Sequence, residues 1–156
     1  MNMLKFFSSV GICLLVAFVG SAITVPSIGV WYAGLEKPFF TPPSFVFGPV
    51  WTLLYLVMGI ALYMVWMKGL QKKGVKSAIR VFFIQLLLNF LWSLVFFGLH
   101  LPLMAFIVIL ALWLAIFWTI RSFYKISKHA AYLLIPYLAW VTFASFLNLG
   151  IVLLNW

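Results

Sequence analysis

Five long apolar runs occupy most of this 156-residue chain. They cover approximately residues 6–23, 45–67, 81–99, 101–120 and 130–154. As helices, runs of this length cross the hydrocarbon core of a bilayer, which is about 30 Å thick. A helix is the expected form there, because it satisfies the backbone N–H and C=O groups within one segment. We therefore predict an all-α integral membrane protein in which residues 1–156 form a single domain, a bundle of five transmembrane helices.

The composition favours a membrane protein over a soluble one. Hydrophobic residues make up 67% of the chain and charged residues 7%, whereas soluble domains carry roughly a quarter charged residues. The first run, after Lys5, is longer than the core of a usual signal peptide, so we predict a retained helix. The net charge of +9 suggests nucleic-acid binding at first. However, the basic residues lie in short breaks between apolar runs, so we expect membrane orientation and no nucleic-acid partner.

The distribution of charge predicts how the bundle is oriented. With five spans, nine of the ten Lys and Arg residues fall on the side of the N-terminus. Only Lys37 falls on the other side, beside Glu36. Because basic loops tend to stay in the cytoplasm, we expect a cytoplasmic N-terminus. The C-terminus and the loop between the first two spans would then lie outside.

The sequence excludes several common chemistries. It contains no Asp, and Glu36 is its only carboxylate, so a Ser-His-Asp triad and a pair of catalytic carboxylates are ruled out. Cys13 is the only cysteine, which excludes an intrachain disulfide and a thiolate cluster. His100 and His129 fall on opposite sides of the predicted bundle and cannot share a metal ion. We therefore expect no metal site and no required cofactor.

The loop between the first two spans is rich in proline and aromatic residues. We expect Pro26 and Gly29 to end the first helix, because proline lacks the N–H group that an α-helix uses. Pro42 and Pro43 exclude a helix at the far end of the loop for the same reason. Four aromatic residues of the loop can fold back onto the bundle: Trp31, Tyr32, Phe39 and Phe40.

Polar side chains share one face of the third span. Gln85, Asn89 and Trp92 follow the i, i+4, i+7 spacing of one helical face. An amide in hydrocarbon is costly unless it has a partner. Two interpretations remain open. The amides either hold neighbouring helices together or offer the few polar contacts of a pocket for a large apolar ligand.

Aromatic rings also accumulate on the second and fifth spans. Trp51 and Tyr55 are one turn apart in the second span. In the fifth span Pro136 is expected to cause a kink. One broad face beyond it carries Tyr137, Trp140, Ala144, Leu147 and Asn148. A cavity between such faces would suit a planar, polycyclic apolar molecule. A second group of rings fits an interfacial aromatic belt: Trp31, Trp66 and Trp156.

Three blocks of sequence resemble one known family. They read WYAGLEKPFFTPPSFVFGPVW over 31–51, QLLLNFLWSLVFFG over 85–98 and PYLAWVTFASFLN over 136–148. In this order and spacing they closely resemble the translocator-protein family, also called TspO/MBR, tryptophan-rich sensory proteins or peripheral-type benzodiazepine receptors. The resemblance extends from the first span to the fifth.

This resemblance implies a five-helix fold, a homodimer and a ligand pocket beneath the first long loop. Ligands of the family are porphyrins, including heme as a ligand, sterols, and drugs of the benzodiazepine or isoquinoline type. The implied pocket residues are Phe47, Gly48, Val50, Trp51, Asn89, Trp92, Trp140, Ala144 and Leu147. The implied lid is the segment 31–43, with Trp31, Tyr32, Lys37, Pro38, Pro42 and Pro43.

Three functions compete on this basis. The first is a receptor, sensor or carrier for tetrapyrroles and other polycyclic apolar ligands. The second is an enzyme that degrades protoporphyrin with light and oxygen, as reported for some relatives, in which case Trp51 and Trp140 would be catalytic as electron donors. The third is a small membrane subunit whose amides only hold helices together.

The chain also departs from the family pattern. The vertebrate members carry a sterol-recognition motif near the C-terminus, and Leu149 and Leu153 stand here in place of its Tyr and Arg. Met104 stands where many members have a Trp early in the fourth span. The polar tail of the vertebrate proteins is missing. We therefore expect a protein of a bacterial cell membrane. The missing motif weakens the expectation that it binds sterols.

Overall fold

The computed structural model describes residues 2–155, so Trp156 of the predicted aromatic belt lies outside the described residues. Its helices are α1 (Met3–Ile28), α2 (Phe47–Trp66), α3 (Val75–Ser93), α4 (Pro102–Tyr124), α5 (Lys128–Leu133) and α6 (Ile135–Leu154). Short 3-10 turns cover Tyr32–Gly34 and Ser44–Val46, and a π-helix covers Leu94–Gly98. Within the described residues there is no strand, and five helical segments are long and apolar enough to cross a membrane. The predicted all-α fold with five spans is confirmed.

The first helix runs further than the sequence suggested. Asn2 caps it, because its side chain accepts a hydrogen bond from the N–H of Lys5 at 3.1 Å. The expectation that Pro26 helps to end α1 is wrong, since Pro26 lies inside the helix and Gly29 follows it as the C-cap. Pro26 removes the hydrogen bond that its own N–H would have made to the preceding turn, and the helix continues two residues beyond it to Ile28.

The third span begins six residues before the predicted residue 81, at Val75. Gly69 and Gly74 have φ angles of 95° and 89° and form the turn before it. Lys76 and Arg80 therefore belong to the first turns of α3 and not to the connector. Long basic side chains are tolerated there, because they reach back to the interface while their stems stay apolar.

The fifth span is broken where proline predicted a kink. α5 ends at Leu133, Leu134 separates the two helices, and Pro136 lies in the first turn of α6. Proline is favoured at this position, since its missing N–H would have had no partner within the helix.

Close helix packing fixes the bundle at the basic end. A Cβ atom added to Gly59 would lie 2.6 Å from the Cα of Val10, so the backbones of α1 and α2 touch there. Between α3 and α4, the rings of Phe82 and Phe123 stack with centroids 5.9 Å apart. Large apolar side chains such as Phe18 remain exposed on the outside of the bundle, as expected for a surface that faces lipid.

The lid lies across the opposite end of the bundle and is attached at three points. The side chain of Asn155 accepts from the backbone N–H of Glu36 at 3.0 Å and donates to its carbonyl at 2.8 Å. Pro38 packs against Gly150 of α6 so tightly that a Cβ at Gly150 would collide with it. Trp31 stacks on His100 with ring centroids 4.4 Å apart. Of the aromatic loop residues, Phe39 is fully exposed.

Candidate functional site

A cavity of about 160 Å³ lies beneath the lid at the centre of the bundle. Its walls come from α1, α2, the end of α3 with the following π-helix, and α6, while Tyr32 of the lid forms its roof. The lining is mostly aromatic and aliphatic, which is typical of sites for apolar small molecules. The fourth span lies behind α3 and α6 and contributes no lining residue among those described.

Trp51 is the centre of the aromatic wall. Its ring lies 6.1 Å from Tyr55, 6.2 Å from Trp92, 6.4 Å from Trp140 and 6.5 Å from Tyr137, measured between centroids. The rings of Trp51 and Trp92 are nearly parallel, at 30°, whereas Trp51 and Trp140 meet edge to face at 83°. We call these five residues the aromatic cluster. Four of the five, all except Tyr137, line the cavity and offer both flat faces and ring edges to anything inside it.

Seven of the nine residues that the sequence assigned to the pocket line this cavity. They are Phe47, Gly48, Trp51, Trp92, Trp140, Ala144 and Leu147. Val50 and Asn89 are not among the residues that line it. Val50 is half-buried against the apolar core. Asn89 is only 1% exposed, and its amide is already occupied by neighbouring side chains.

Asn89 is the middle of a buried polar chain below the cavity. The hydroxyl of Tyr55 donates to Asn89 Oδ1 at 2.5 Å, and Asn89 Nδ2 donates to the hydroxyl of Tyr137 at 2.7 Å. Tyr137 in turn donates to Gln85 Oε1 at 2.7 Å, and Gln85 Nε2 approaches the sulfur of Met58 at 3.8 Å. The chain joins α2, α3 and α6. Of the two interpretations left open for these amides, the contacts therefore favour helix-to-helix bonding.

A second polar contact holds Trp92 in place. Its Nε1 donates to Asn148 Oδ1 at 3.0 Å, and Asn148 Nδ2 donates to the carbonyl of Pro102 at 2.9 Å. This contact fixes the ring plane of Trp92 from the α6 side. The indole N–H of Trp140 is buried and has no hydrogen-bond partner among the described residues. Trp140 is thus placed by ring packing alone.

The π-helix after α3 shapes the wall next to Trp92. It turns the rings of Phe96 and Phe97 toward the cavity. The wider turn is supported from α1, because the hydroxyl of Ser27 donates to the carbonyl of Phe97 at 2.5 Å. Ser27 Oγ also lies 3.2 Å from Nε2 of His100, a residue with a φ of 58°. Single π turns are frequent at functional sites, where they re-aim side chains.

Among the predicted lid residues, only Tyr32 reaches the cavity. It is 5% exposed, and this burial raises the pKa of its hydroxyl above the usual range. The ammonium group of Lys37 lies 4.9 Å from the Tyr32 ring and donates to the carbonyl of Leu35 at 3.0 Å. The other predicted lid residues do not line the cavity: Trp31, Lys37, Pro38, Pro42 and Pro43. Trp31 and Pro38 instead hold the loop against the bundle, whereas the contacts of Lys37 lie within the loop.

Sequence reasoning missed the wall contributed by the first span. Six residues of α1 line the cavity: Ala17, Gly20, Ser21, Thr24, Val25 and Ile28. The first four follow the i, i+3, i+4, i+7 spacing of one helical face, and all four are small. A stripe of small residues within a run of large apolar ones was the available signal. It is typical of a helix that leaves room for another group.

The lining of the site supplies surfaces for stacking. Within residues 2–155, no three His, Cys, Asp or Glu side chains come together in a group that could hold a metal ion. What the wall supplies is a set of electron-rich indole and phenol rings in mutual contact. Such rings bind flat apolar molecules.

Comparison with known proteins identifies a single family. The model of the TspO/MBR family matches residues 9–154. The chain is 51% identical over 155 residues to a tryptophan-rich protein TspO of Archaeoglobus fulgidus, with 99% of each chain covered. It is 37% identical over 126 residues to a tryptophan-rich sensory protein of Cereibacter sphaeroides, covering 81% of this chain and 77% of the relative. It is also 41% identical over 133 residues to the human translocator protein, covering 84% of this chain and 78% of that one.

Proposed function

The chain belongs to the TspO/MBR family, and we propose that it binds porphyrins and other flat, polycyclic apolar molecules within the membrane. It would act as a receptor, sensor or carrier for them. Sterols and drugs of the benzodiazepine or isoquinoline type fall within the same proposal, because they share large apolar ring systems. No cofactor is required, and a porphyrin or heme is the ligand.

The observation that carries this proposal is the aromatic cluster around Trp51. Three indole rings, those of Trp51, Trp92 and Trp140, meet at one cavity wall with centroid distances of 6.2 and 6.4 Å from the central ring. A favourable aromatic pair contributes about 0.5–1.5 kcal/mol beyond its buried area. A flat conjugated ligand can contact several of these rings together, whereas a flexible chain cannot.

The size of the cavity limits how a porphyrin can bind in it. Its volume of about 160 Å³ is smaller than the roughly 300–1,000 Å³ of pockets for drug-sized ligands. A porphyrin would therefore have to push the walls apart or leave one edge of its ring outside. Both arrangements require that one side of the cavity can widen.

The test is a titration of the purified protein with protoporphyrin IX in darkness, followed by tryptophan fluorescence. We expect saturable quenching, because the rings at the wall would transfer excitation to a stacked porphyrin. Linear, non-saturating quenching equal to that of free tryptophan would refute the binding function. Saturable binding would also remove the third alternative, a subunit whose amides only join helices.

A second candidate function is light-driven degradation of protoporphyrin. The observation in its favour is the unbroken contact of Trp51 with Trp140, Trp92 and Tyr137. Such rings can pass an electron to an excited porphyrin, which passes it on to O2 as superoxide. The oxidised indole then regains an electron from a second porphyrin, and superoxide adds to that porphyrin radical, so that the net reaction is oxidation of porphyrin by O2. Illumination of the complex in air should then consume several equivalents of porphyrin per protein. Trp51→Phe and Trp140→Phe should slow turnover more than binding. Loss of porphyrin at the rate seen without protein would exclude this activity.

We also propose that the protein forms homodimers, as the resemblance implies. Light scattering of the protein in a defined detergent gives the mass of the polypeptide part. A mass near 36 kDa, twice the 17.8 kDa of one chain, would support a dimer, and a monomer mass would contradict it.

A further inference from the structure

We propose that ligands reach the cavity sideways from the bilayer, through a gap between α1 and α2, and not through the lid. The gap, which we call the portal, is bordered by Ser21 and Val25 on α1 and by Gly48 and Thr52 on α2. This inference rests on the proposed binding function and adds a route to it. It also identifies the side of the cavity that can widen to admit a flat ring system.

The portal is identified from the exposure of the residues that line the cavity. All four portal residues line the cavity and are also exposed on the outside of the bundle, and Val25 is 65% exposed. The lining residues from α3, the π-helix, α6 and the lid are all buried or half-buried. Cavity wall and outer surface therefore coincide only between α1 and α2 within the described residues.

The path of α1 explains why the gap exists. At the basic end, α1 touches the backbone of α2 at Gly59. At the lid end it instead approaches the π-helix, where a Cβ on Gly98 would lie 3.0 Å from Ile23 and where Ser27 bonds to Phe97. The close backbone contact of α1 with α2 is thus at Gly59, and toward the lid the close contacts of α1 described here are with the π-helix, which leaves the gap beside the cavity.

The inner edge of the portal, at Ser21, lies at the depth of the hydrocarbon, and its outer edge, at Val25, lies at the boundary of the core, three residues or about 4–5 Å from Ile28. α1 has 26 residues, which is about 39 Å of helix at a rise of 1.5 Å per residue. That length exceeds the roughly 30 Å core by about 9 Å, or 4–5 Å at each end. Ser21 lies seven residues, or about 10 Å, from the end of α1 at Ile28. Ser21 is therefore below the interface, within reach of a ligand dissolved in the leaflet on the lid side.

The route through the lid is closed by several contacts. Tyr32 covers the cavity and is 5% exposed. On either side of it, Trp31 stacks on His100, and the backbone of Glu36 is bonded twice to Asn155. Passage from water would break these contacts, whereas passage through the portal breaks no hydrogen bond between α1 and α2 on that side. An apolar polycyclic molecule is moreover concentrated in the bilayer and not in water.

The experiment measures rates of protoporphyrin IX binding to the protein in lipid nanodiscs by stopped-flow tryptophan quenching. Two variants narrow the portal, Gly48→Phe and Val25→Phe. A Cβ at Gly48 meets nothing within 4 Å, so the helix can accept a side chain there. The matched control is Gly11→Phe, because Gly11 also faces open space on α1 but does not line the cavity. Asn155→Ala releases the lid.

A narrowed portal should slow association at least fivefold in Gly48→Phe and Val25→Phe, because every ligand must cross the narrowed gap. Both residues also line the cavity, so the association rate is the readout and the dissociation constant is not. Ala144→Phe fills the cavity from α6 and should weaken affinity through faster dissociation, with an association rate within twofold of the unmodified protein. Gly11→Phe and Asn155→Ala should match the association rate of the unmodified protein. Faster binding in Asn155→Ala with unchanged rates in both portal variants would overturn the proposal in favour of the lid. Weaker affinity at an unchanged association rate would make the portal residues ordinary wall contacts and would also overturn it. If the unmodified protein gave no saturable quenching, the binding function itself would fail, and this route with it.

Discussion

Replacing Asn89 by alanine should lower stability and leave ligand affinity nearly unchanged. Asn89 makes two buried hydrogen bonds, one from the hydroxyl of Tyr55 and one to the hydroxyl of Tyr137. Hydrogen bonds between helices in a bilayer contribute on average about 0.6 kcal/mol each, and up to about 1.7 kcal/mol. Losing both should reduce the free energy of unfolding by about 1–3 kcal/mol. Affinity for protoporphyrin IX should change less than threefold, since Asn89 does not line the cavity.

The free energy of unfolding can be measured by titrating detergent micelles with SDS and following tryptophan fluorescence. The matched control is Ser145→Ala, because the hydroxyl of Ser145 donates only to the carbonyl of Val141 in its own helix. That change should cost little. The double-mutant cycle of Asn89→Ala with Tyr55→Phe isolates the bond between these two residues, and the double mutant should lose less stability than the sum of the losses in the two single mutants.

The opposite pattern would refute the helix-bonding role. If Asn89→Ala unfolded at the same SDS fraction as the unmodified protein but bound porphyrin more than tenfold more weakly, its amide would be a ligand contact. The buried polar chain below the cavity would then have to open when the ligand binds.

Three further outcomes are expected. Ala144→Phe should weaken protoporphyrin binding at least tenfold, or about 1.4 kcal/mol, because Ala144 lines a small cavity; unchanged affinity in a folded variant would place α6 outside the site. Gly59→Leu should prevent normal packing of α1 on α2, because a Cβ there lies 2.6 Å from the Cα of Val10; an unaltered unfolding curve would contradict this. A reporter fused to the C-terminus in a bacterial host should be non-cytoplasmic, since nine of ten basic residues favour the N-terminal side; cytoplasmic reporter activity would reverse the topology.

The spans were predictable because they depend on properties of single segments. An apolar run of sufficient length must become a helix in hydrocarbon, whatever surrounds it. The ends of the spans were less certain, since they depend on where a side chain can reach water. Arg80 illustrates this difference, because its charge suggested a connector, but its long side chain permits a place in the first turns of α3.

The site was predictable only in part, because a cavity is a relation between helices. Trp51, Trp92 and Trp140 were identified from the resemblance and from their faces, and all three line the cavity. Asn89 shares the helical face of Trp92, and spacing alone could not tell whether its amide would meet a ligand or two tyrosines. The wall from α1 was missed since small residues such as Gly20 carry no chemistry of their own. Their effect is the space that they leave.

The attachment of the lid by Asn155 has a practical consequence for labelling this protein. The residue that holds Glu36 lies at the end of α6, one position before the last residue of the chain. A fluorescent protein, affinity tag or surface anchor joined directly there would pull on the segment of backbone that carries Asn155, whose side chain holds the lid. A tag at the N-terminus or behind a flexible spacer leaves the contact between Asn155 and Glu36 intact. Immobilisation directly through the C-terminus would release the lid, which is the state that Asn155→Ala also produces.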